Sequence, residues 1–382
     1  MQRNTFTQVL LVLAFLFLSP RWGIAQDANQ EAKSLLTAKL VSRQKIKQRN
    51  SAASSTDLAV FRDQLVLTFL DDWTAGSTES CIRVMSSENG LVWTNQSTIR
   101  HEARDRYLVR RVAGQYRGKR LEDTPRLTVQ SDEMLTVRAM EAQFNSREFD
   151  SRQMVGWSTN DATTWNAEGR LHEVLHWGEQ IWHGGHGYAF KYGGPCGESL
   201  AMALMVTDDS KKYAKLYESH AFNGNPKRAS LFPMAEDRLC CLMPMYGGSS
   251  EGVTKGDYSY AMLGTAESPY KQWTWTKTNL PIWSPRVVEV PNIGFVAIAE
   301  IRSAPIRTAV CSLDIKTGQL TELLSLGNIR EQQLGVDDHE PLGAEDLPIG
   351  LAEHDGFLWV SYNEGPDVFV AKIALQRTAS NE

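Results

Sequence analysis

From residue 56 onward the sequence predicts an all-β chain: a six-bladed β-propeller with four-stranded antiparallel blades. Three observations carry this. Helical periodicity is nearly absent after residue 55, where short runs of β-branched, aromatic and aliphatic residues alternate with polar turns. Those runs pair into double hairpins, and the double hairpin recurs six times at intervals of roughly 45 to 70 residues. Two of the hairpins, Ser86–Trp93 and Ser158–Trp165, also share one template: Ser, any, acid or amide, any, Gly or small, any, Thr or Val, Trp.

The elements follow in chain order. Arg3, the apolar run Val9–Leu18 and the small residues Gly23–Ala25 read as a secretory signal peptide over 1–25, too short in its apolar core to span a bilayer as a helix. An exported protein, secreted or periplasmic, is expected, with no membrane span after cleavage. Residues 26–55 are polar and lack aromatics, which predicts a solvated linker or a short helix, so that the folded unit spans 56–378. The six units then open at "LAVFRDQLVLTFLD", "RLTVQSDEMLTVRAME", "GEQIWHGGHGYAFKYG", "ASLFPMAEDRLCCLMPMY", "RVVEVPNIGFVAIAEI" and "GLAEHDGFLWVSYNEG".

Charge and cysteine content narrow the function classes. The chain carries 40 Lys and Arg against 45 Asp and Glu, and losing Arg3 and Arg21 with the leader leaves 38 against 45, or −7. That argues against nucleic acid as a partner. Five cysteines without a C-x-x-C pair read as buried thiols with at most one disulfide. Cys240 and Cys241 are adjacent in a strand, so their side chains are expected on opposite faces. A monomer is expected.

The shared template has a structural logic. An acid or amide at its third position accepts hydrogen bonds from turn amides, the Gly position tolerates an unusual backbone angle, and the Trp packs between blades. Glu88 and Asn160 occupy the third position in this reading. The template resembles the Asp-box of the sialidase superfamily, with "TDDSKKYAKL" (Thr207–Leu216) as a worn third copy. "LGTAESPYKQWTW" is similar to that family's fourth-blade turn, and "TAVCSLDIKTGQLTELLSL" and "GLAEHDGFLWVSYNEG" to its last two blades. The resemblance covers residues 56–378 and implies glycan chemistry at the hub. There, three arginines would hold a substrate carboxylate, a tyrosine activated by a glutamate would be the nucleophile, and an aspartate the acid/base.

Residue by residue the chain departs from that pattern. Glu122, followed by Asp123, stands where the second blade's Arg is usual, flanked by Arg120 and Arg126. Arg228 replaces a glutamate, "MPM" at Met243–Met245 replaces a strand-end arginine, and Glu300 replaces an arginine with Arg302 two residues on. Arg307 fits the pattern, whereas Pro348 takes the tyrosine's place. The candidate catalytic residues are therefore Glu122, Asp123 and Asp346, with Glu345 beside it, as a two-carboxylate site. The candidate substrate-binding residues are Arg307, Arg302, Arg228, Arg286 and Trp182. For the first carboxylates the alternative is ion pairing with Arg120 and Arg126, and for Arg307 it is pairing with Glu300 or Asp314. His183 and His186 flank Gly184-Gly185 and read as a hairpin rather than metal ligands. The acidic loop Gly335–Asp346 is either a solvated loop or a calcium site; otherwise no cofactor is expected. Two functions stay open: a glycoside hydrolase with a non-standard site, or a non-catalytic propeller that binds a glycan or a protein through its axial face.

Overall fold

The computed structural model describes residues 35–47, 56–71, 81–100, 110–112, 115–121, 125–131, 133–146, 149–173, 176–192, 202–210, 212–219, 222, 224–226, 228–246, 258–303, 305–327, 349–364 and 367–378. Among them there is no helix, and no segment that could cross a membrane as one. The strand β1 (Leu35–Lys47) is followed by blade I, β2 to β5 (Thr56–Phe61, Gln64–Asp71, Cys81–Ser87, Thr94–Arg100). Blade II begins with a short pair, β6 (Arg110–Val112) and β7 (Gln115–Leu121), then β8 to β11 (Arg126–Ser131, Met134–Ser146, Phe149–Thr159, Asn166–Glu173). Blade III is β12 to β15 (His176–His183, His186–Tyr192, Met202–Thr207, Ala214–Ser219). Blade IV is β17 to β20 (Ser230–Met234, Arg238–Tyr246, Tyr258–Glu267, Thr274–Lys277), with the two-residue β16 (Asn225–Pro226) beside β18. Blade V is β21 to β24 (Ile282–Val290, Gly294–Ile301, Arg307–Leu313, Leu320–Gly327), and blade VI holds β25 to β27 (Gly350–His354, Phe357–Glu364, Asp367–Thr378).

The ring closes. The innermost strands β2, β8, β12, β17, β21 and β25 each contact the next, and β25 returns to β2. Gly350 makes that last approach possible, because a Cβ there would lie 2.3 Å from the Leu58 nitrogen and 2.4 Å from Ser361 Oγ. Apolar cores fill the gaps between blades I and II, III and IV, IV and V, V and VI, and VI and I. Between blades II and III a polar seam lies at the same place. Arg138 is buried and donates to the Tyr213 hydroxyl, which donates to Gln180 Oε1 at 2.9 Å, and Gln130 Nε2 reaches Ser210 Oγ at 2.8 Å. Burial in that seam pushes the Tyr213 hydroxyl up to about 12.

One expectation is corrected at the N-terminus. Of the segment read as a linker or helix, residues 35–47 form β1, the outermost strand of blade VI, paired antiparallel with β27 from Leu35↔Thr378 to Lys47↔Val368. The alternation that marks it changes phase at a register shift between Leu40 and Ser42, and the strand has no fully buried residue. An edge strand of this kind leaves no apolar stripe to read.

The turns are corrected by one residue. Asn89, not Glu88, accepts from the Leu91 and Val92 amides through Oδ1 (2.9 and 3.2 Å). Asp161, not Asn160, accepts from Thr163 and Thr164 (both 2.8 Å), and Asp209 from Lys212 (2.8 Å). The residue after each acceptor takes the left-handed conformation: Gly90 (φ 69°), Ala162 (60°) and Ser210 (62°). Three residues further on stands the ring, Trp93, Trp165 or Tyr213. Tyr270 (φ 61°) and Trp273 hold the equivalent places in blade IV. Each turn docks on the preceding blade: Gly90 against Trp359 of blade VI, Trp165 Nε1 on Ser97 Oγ of blade I at 2.8 Å, and Tyr270 edge-on to Tyr188 of blade III. Four described cysteines, Cys81, Cys240, Cys241 and Cys311, are buried free thiols, and Cys240 and Cys241 enter different cores.

Candidate functional site

The innermost strands all begin at one face of the ring and turn at the other. Close to their starts, four residues before each strand's last residue, the six blades bring Asp57, Leu127, Glu179, Ser230, Arg286 and Gly350 to the axis. Three of the six are charged, and a charge drawn toward the hub must be paired or meet solvent. They are paired with one another. Arg286 Nη2 lies 2.8 Å from Asp57 Oδ2, its Nη1 contacts Glu179 Oε1, and its Nε donates to the Ile349 carbonyl at 3.2 Å. One guanidinium from blade V thus ties blades I, III and VI together across the axis.

The two carboxylates are held differently. Asp57 is buried and accepts from the Leu58 amide at Oδ1 (3.0 Å) and the Leu127 amide at Oδ2 (2.8 Å), as well as pairing with Arg286. Both of its oxygens are engaged. Glu179 accepts from Ser230 Oγ at 3.0 Å, and that hydroxyl oxygen in turn accepts the Val287 amide at 3.1 Å. The Glu179 side chain is 22 % exposed, against 6 % for Arg286 and 3 % for Asp57, so it is the member of the triad that meets solvent. Desolvation raises the Glu179 carboxyl above its usual range, and the charge of Asp57 adds to this; Arg286, Arg126 and the Ser230 hydroxyl oppose it without cancelling it. A shift toward the protonated form is the direction that general-acid work requires.

Nearby, at the start of β21, Trp283 is buried beneath two cations: Arg228 and Arg302 stand 5.8 and 5.7 Å from its ring centre. Arg302 Nε is 2.7 Å from Glu300 Oε1, both side chains only 9 % exposed. The structure therefore gathers three predicted binding residues, Arg228, Arg286 and Arg302, on the hub side of blades IV and V. Two others lie elsewhere. Arg307, on the third strand of blade V, makes a two-nitrogen pair with Glu322 of the outermost strand and donates to the Pro305 carbonyl at 2.8 Å, facing away from the axis. Its partner is neither Glu300 nor Asp314. Trp182 sits at the far end of β12, over Gly187, on the face opposite the strand starts. There His183 Nε2 contacts Asp237 (3.1 Å) and His186 Nδ1 contacts Asp208 (2.6 Å), so the two imidazoles point to different partners. Among the described residues no group of three or more His, Cys, Asp and Glu is arranged around a metal position. Glu122, Asp123, Asp346, Glu345, Pro348 and the loop 335–346 lie outside the described residues. Met243 and Met245 belong to the core between blades III and IV.

Sequence reasoning missed Glu179, Asp57 and Ser230. The available signal was positional: a charged or hydroxyl residue at one common distance before the first turn in four of the six blades.

No protein-family model matches the chain, and no curated protein sequence does. Solved structures do match. A protein of unknown function from Dyadobacter fermentans aligns over 89 % of this chain and all of its own, with a TM-score of 0.64 at 12 % identity. An α-L-arabinanase from Penicillium chrysogenum aligns over 90 % of this chain and 98 % of its own (TM-score 0.58, 13 % identity). The Trypanosoma rangeli sialidase aligns over 87 % of this chain but 59 % of its own length (TM-score 0.54, 10 % identity). The fold is that of the sialidase-like six-bladed propellers. At these identities the likeness establishes the sialidase-like architecture alone, and the chemistry must come from the hub.

Proposed function

We propose that the protein is an exported glycan-directed propeller that takes a sugar at the axial opening where the innermost strands begin, with Glu179 as the group that protonates the glycosidic oxygen. The observation that carries this reading is the asymmetry of the triad: Asp57 is buried with both oxygens engaged, whereas Glu179 is partly exposed and its carboxyl is shifted toward the protonated form. Several propellers of this fold act on or bind glycans, among them the arabinanase bound to arabinobiose and the sialidase bound to sialic acid. Residues 1–25 supply the export reading.

Among the described residues the hub does not show the three-arginine clamp that the family resemblance implies. Arg286 is shared by two carboxylates and Arg302 pairs with Glu300, which favours a neutral sugar at the axis itself. The non-catalytic alternative draws on Asp57, whose burial and contacts with two amides and Arg286 hold it in a structural role rather than aimed at an anomeric carbon.

A panel of aryl arabinofuranosides, sialosides, fucosides and uronides, assayed with wild-type protein and Glu179→Gln, tests the reading. Loss of a positioned acid should lower kcat by about 10²- to 10⁴-fold with KM little changed. Turnover untouched by Glu179→Gln would remove Glu179 from the mechanism. Absence of turnover, together with glycan retention that Glu179→Gln weakens, would leave the binding reading.

A further inference from the structure

Two consecutive residues of one strand act on the two oxygens of Glu179. In β21, Arg286 brings its Nη1 to Glu179 Oε1, while the amide of the next residue, Val287, donates to Ser230 Oγ at 3.1 Å. Ser230 Oγ in turn donates to Glu179 Oε2 at 3.0 Å. This relay has one sense only. A hydroxyl carries one proton and two lone pairs, and an amide N–H can only donate. The Ser230 proton therefore turns away from Val287, and the acceptor it meets is Glu179 Oε2.

The backbone around these groups is held from several sides. Ser230 is buried, and the Ala229 amide before it donates to Tyr192 Oη at 2.9 Å. The same hydroxyl packs on Gly178, the residue before Glu179, where a Cβ would lie 2.8 Å from Tyr192 Oη. The pairing with the second strand slips at both charged hub positions, between Trp177 and Gln180 in β12 and between Trp283 and Arg286 in β21. Irregularities of this kind re-aim the side chains beside them. Ser284, inside the second one, takes the left-handed conformation (φ 48°), which is strained for a residue with a Cβ.

These contacts treat the two oxygens unequally. A proton on Oε1 would disturb a charge-assisted contact with Arg286, roughly twice as strong as the neutral bond from Ser230. A proton on the second lone pair of Oε2 leaves both contacts in place. We infer that Ser230 is a positioning residue: its hydroxyl, oriented by the Val287 amide, confines the acid proton of Glu179 to the remaining lone pair of Oε2. The catalytic consequence rests on the acid reading of Glu179; the site of the proton rests on the hydrogen bonds alone. The other groups that bear on Glu179 are Arg286, Arg126 and Asp57, with Tyr192 and Cys241 packed nearby. The arginines stay cationic, and burial holds the Tyr192 hydroxyl and the Cys241 thiol neutral while a carboxyl titrates. Asp57, on the other arm of Arg286, is the neighbouring carboxylate.

The test follows the Glu179 carboxyl by carbon NMR in the intact protein, labelled with glutamate carrying 13C at Cδ and assigned by the signal that Glu179→Gln removes. A bond donated to the ionised form favours that form, so Ser230→Ala should raise the titration midpoint of Glu179. Ser230→Thr keeps the hydroxyl and should restore the wild-type midpoint. On an aryl glycoside that the wild type turns over, Ser230→Ala should lower kcat about five- to tenfold, as expected for one neutral hydrogen bond, with KM unchanged. The alkaline limb of its kcat–pH profile should move up at the same time. Mere loosening of the hub would lower kcat without that upward movement. The resonances come from folded molecules, so a lowered melting temperature does not hide the reading. A midpoint that Ser230→Ala leaves unchanged or lowers, one that Ser230→Thr fails to restore, or full kcat at a raised midpoint overturns the inference. If the wild type turns over no glycoside while Ser230→Ala still raises the midpoint, the acid role of Glu179 fails and the placement of its proton by Ser230 stands.

Discussion

The axial ion triad makes a quantitative prediction about Arg286→Met. The substitution removes a guanidinium that is 6 % exposed and leaves Asp57, 3 % exposed, without its cation. Breaking a buried pair by deleting one partner costs about 3–5 kcal/mol, most of it the penalty of the stranded charge. The Arg286 contact with the Ile349 carbonyl is lost as well, which places the expected loss in the upper half of that range. Arg307→Met is the internal control. Its pair with Glu322 is as close, but the side chains are 22 % and 28 % exposed, and pairs open to solvent contribute about 0–1 kcal/mol. Urea unfolding at pH 7, followed by tryptophan fluorescence, reads both. Adding Asp57→Asn to Arg286→Met should recover part of the loss, since the stranded charge is then gone. If Arg286→Met costs under about 1 kcal/mol, or no more than Arg307→Met, the hub is hydrated and open, and the argument for a desolvated Glu179 falls with it.

Two further predictions concern single groups. The folded-state carboxyl of Glu179 is raised above its usual 4.5, so its contribution to stability is fully present below that value and is lost as pH rises through the raised one; Glu179→Gln should flatten that part of the stability–pH curve, and an unchanged slope would show that the group titrates normally. In the blade II turn, Asp161→Ala should cost about 1 kcal/mol because two amides lose their acceptor, whereas Asn160→Ala should stay within about 0.5 kcal/mol. The same amide bonds hold the Asp161 carboxyl well below its ordinary value, so its share of stability is present above pH 3.8 and lost as pH falls further. Equal costs for the two alanine variants would return the turn to the frame read from the sequence.

The propeller was legible because a blade writes itself locally: a hairpin needs alternating apolar residues and a turn, and both lie within about twenty residues of each other. The turn frame was half legible. In "SSENG" and "STNDA" two neighbouring residues qualify as acceptor, and only the left-handed residue that follows decides between them. Gly90 marks that place in one copy, but Ala162 and Ser210 carry no such mark. β1 was illegible because its pairing partner, β27, lies more than three hundred residues away and its own alternation breaks at Leu40. The hub was the least legible part. Asp57, Glu179, Ser230 and Arg286 are isolated letters in four strands, and nothing local distinguishes Arg286 from Arg307, which has the better motif match and an outward-facing partner.

The proposed acid role of Glu179 limits where cations can sit around it. Every guanidinium brought near that carboxyl favours its ionised form and draws the proton off, so a carboxylate clamp built at the axis would undo the acid it is meant to serve. The hub resolves this by dividing Arg286 between two carboxylates, which leaves the desolvation of Glu179 as the dominant influence. Bringing a further cation to the axis, as in Ser230→Arg beside Glu179, should therefore tighten an anionic sugar there while abolishing any acid catalysis by Glu179, a trade that neither a structural triad nor a purely electrostatic binder would produce.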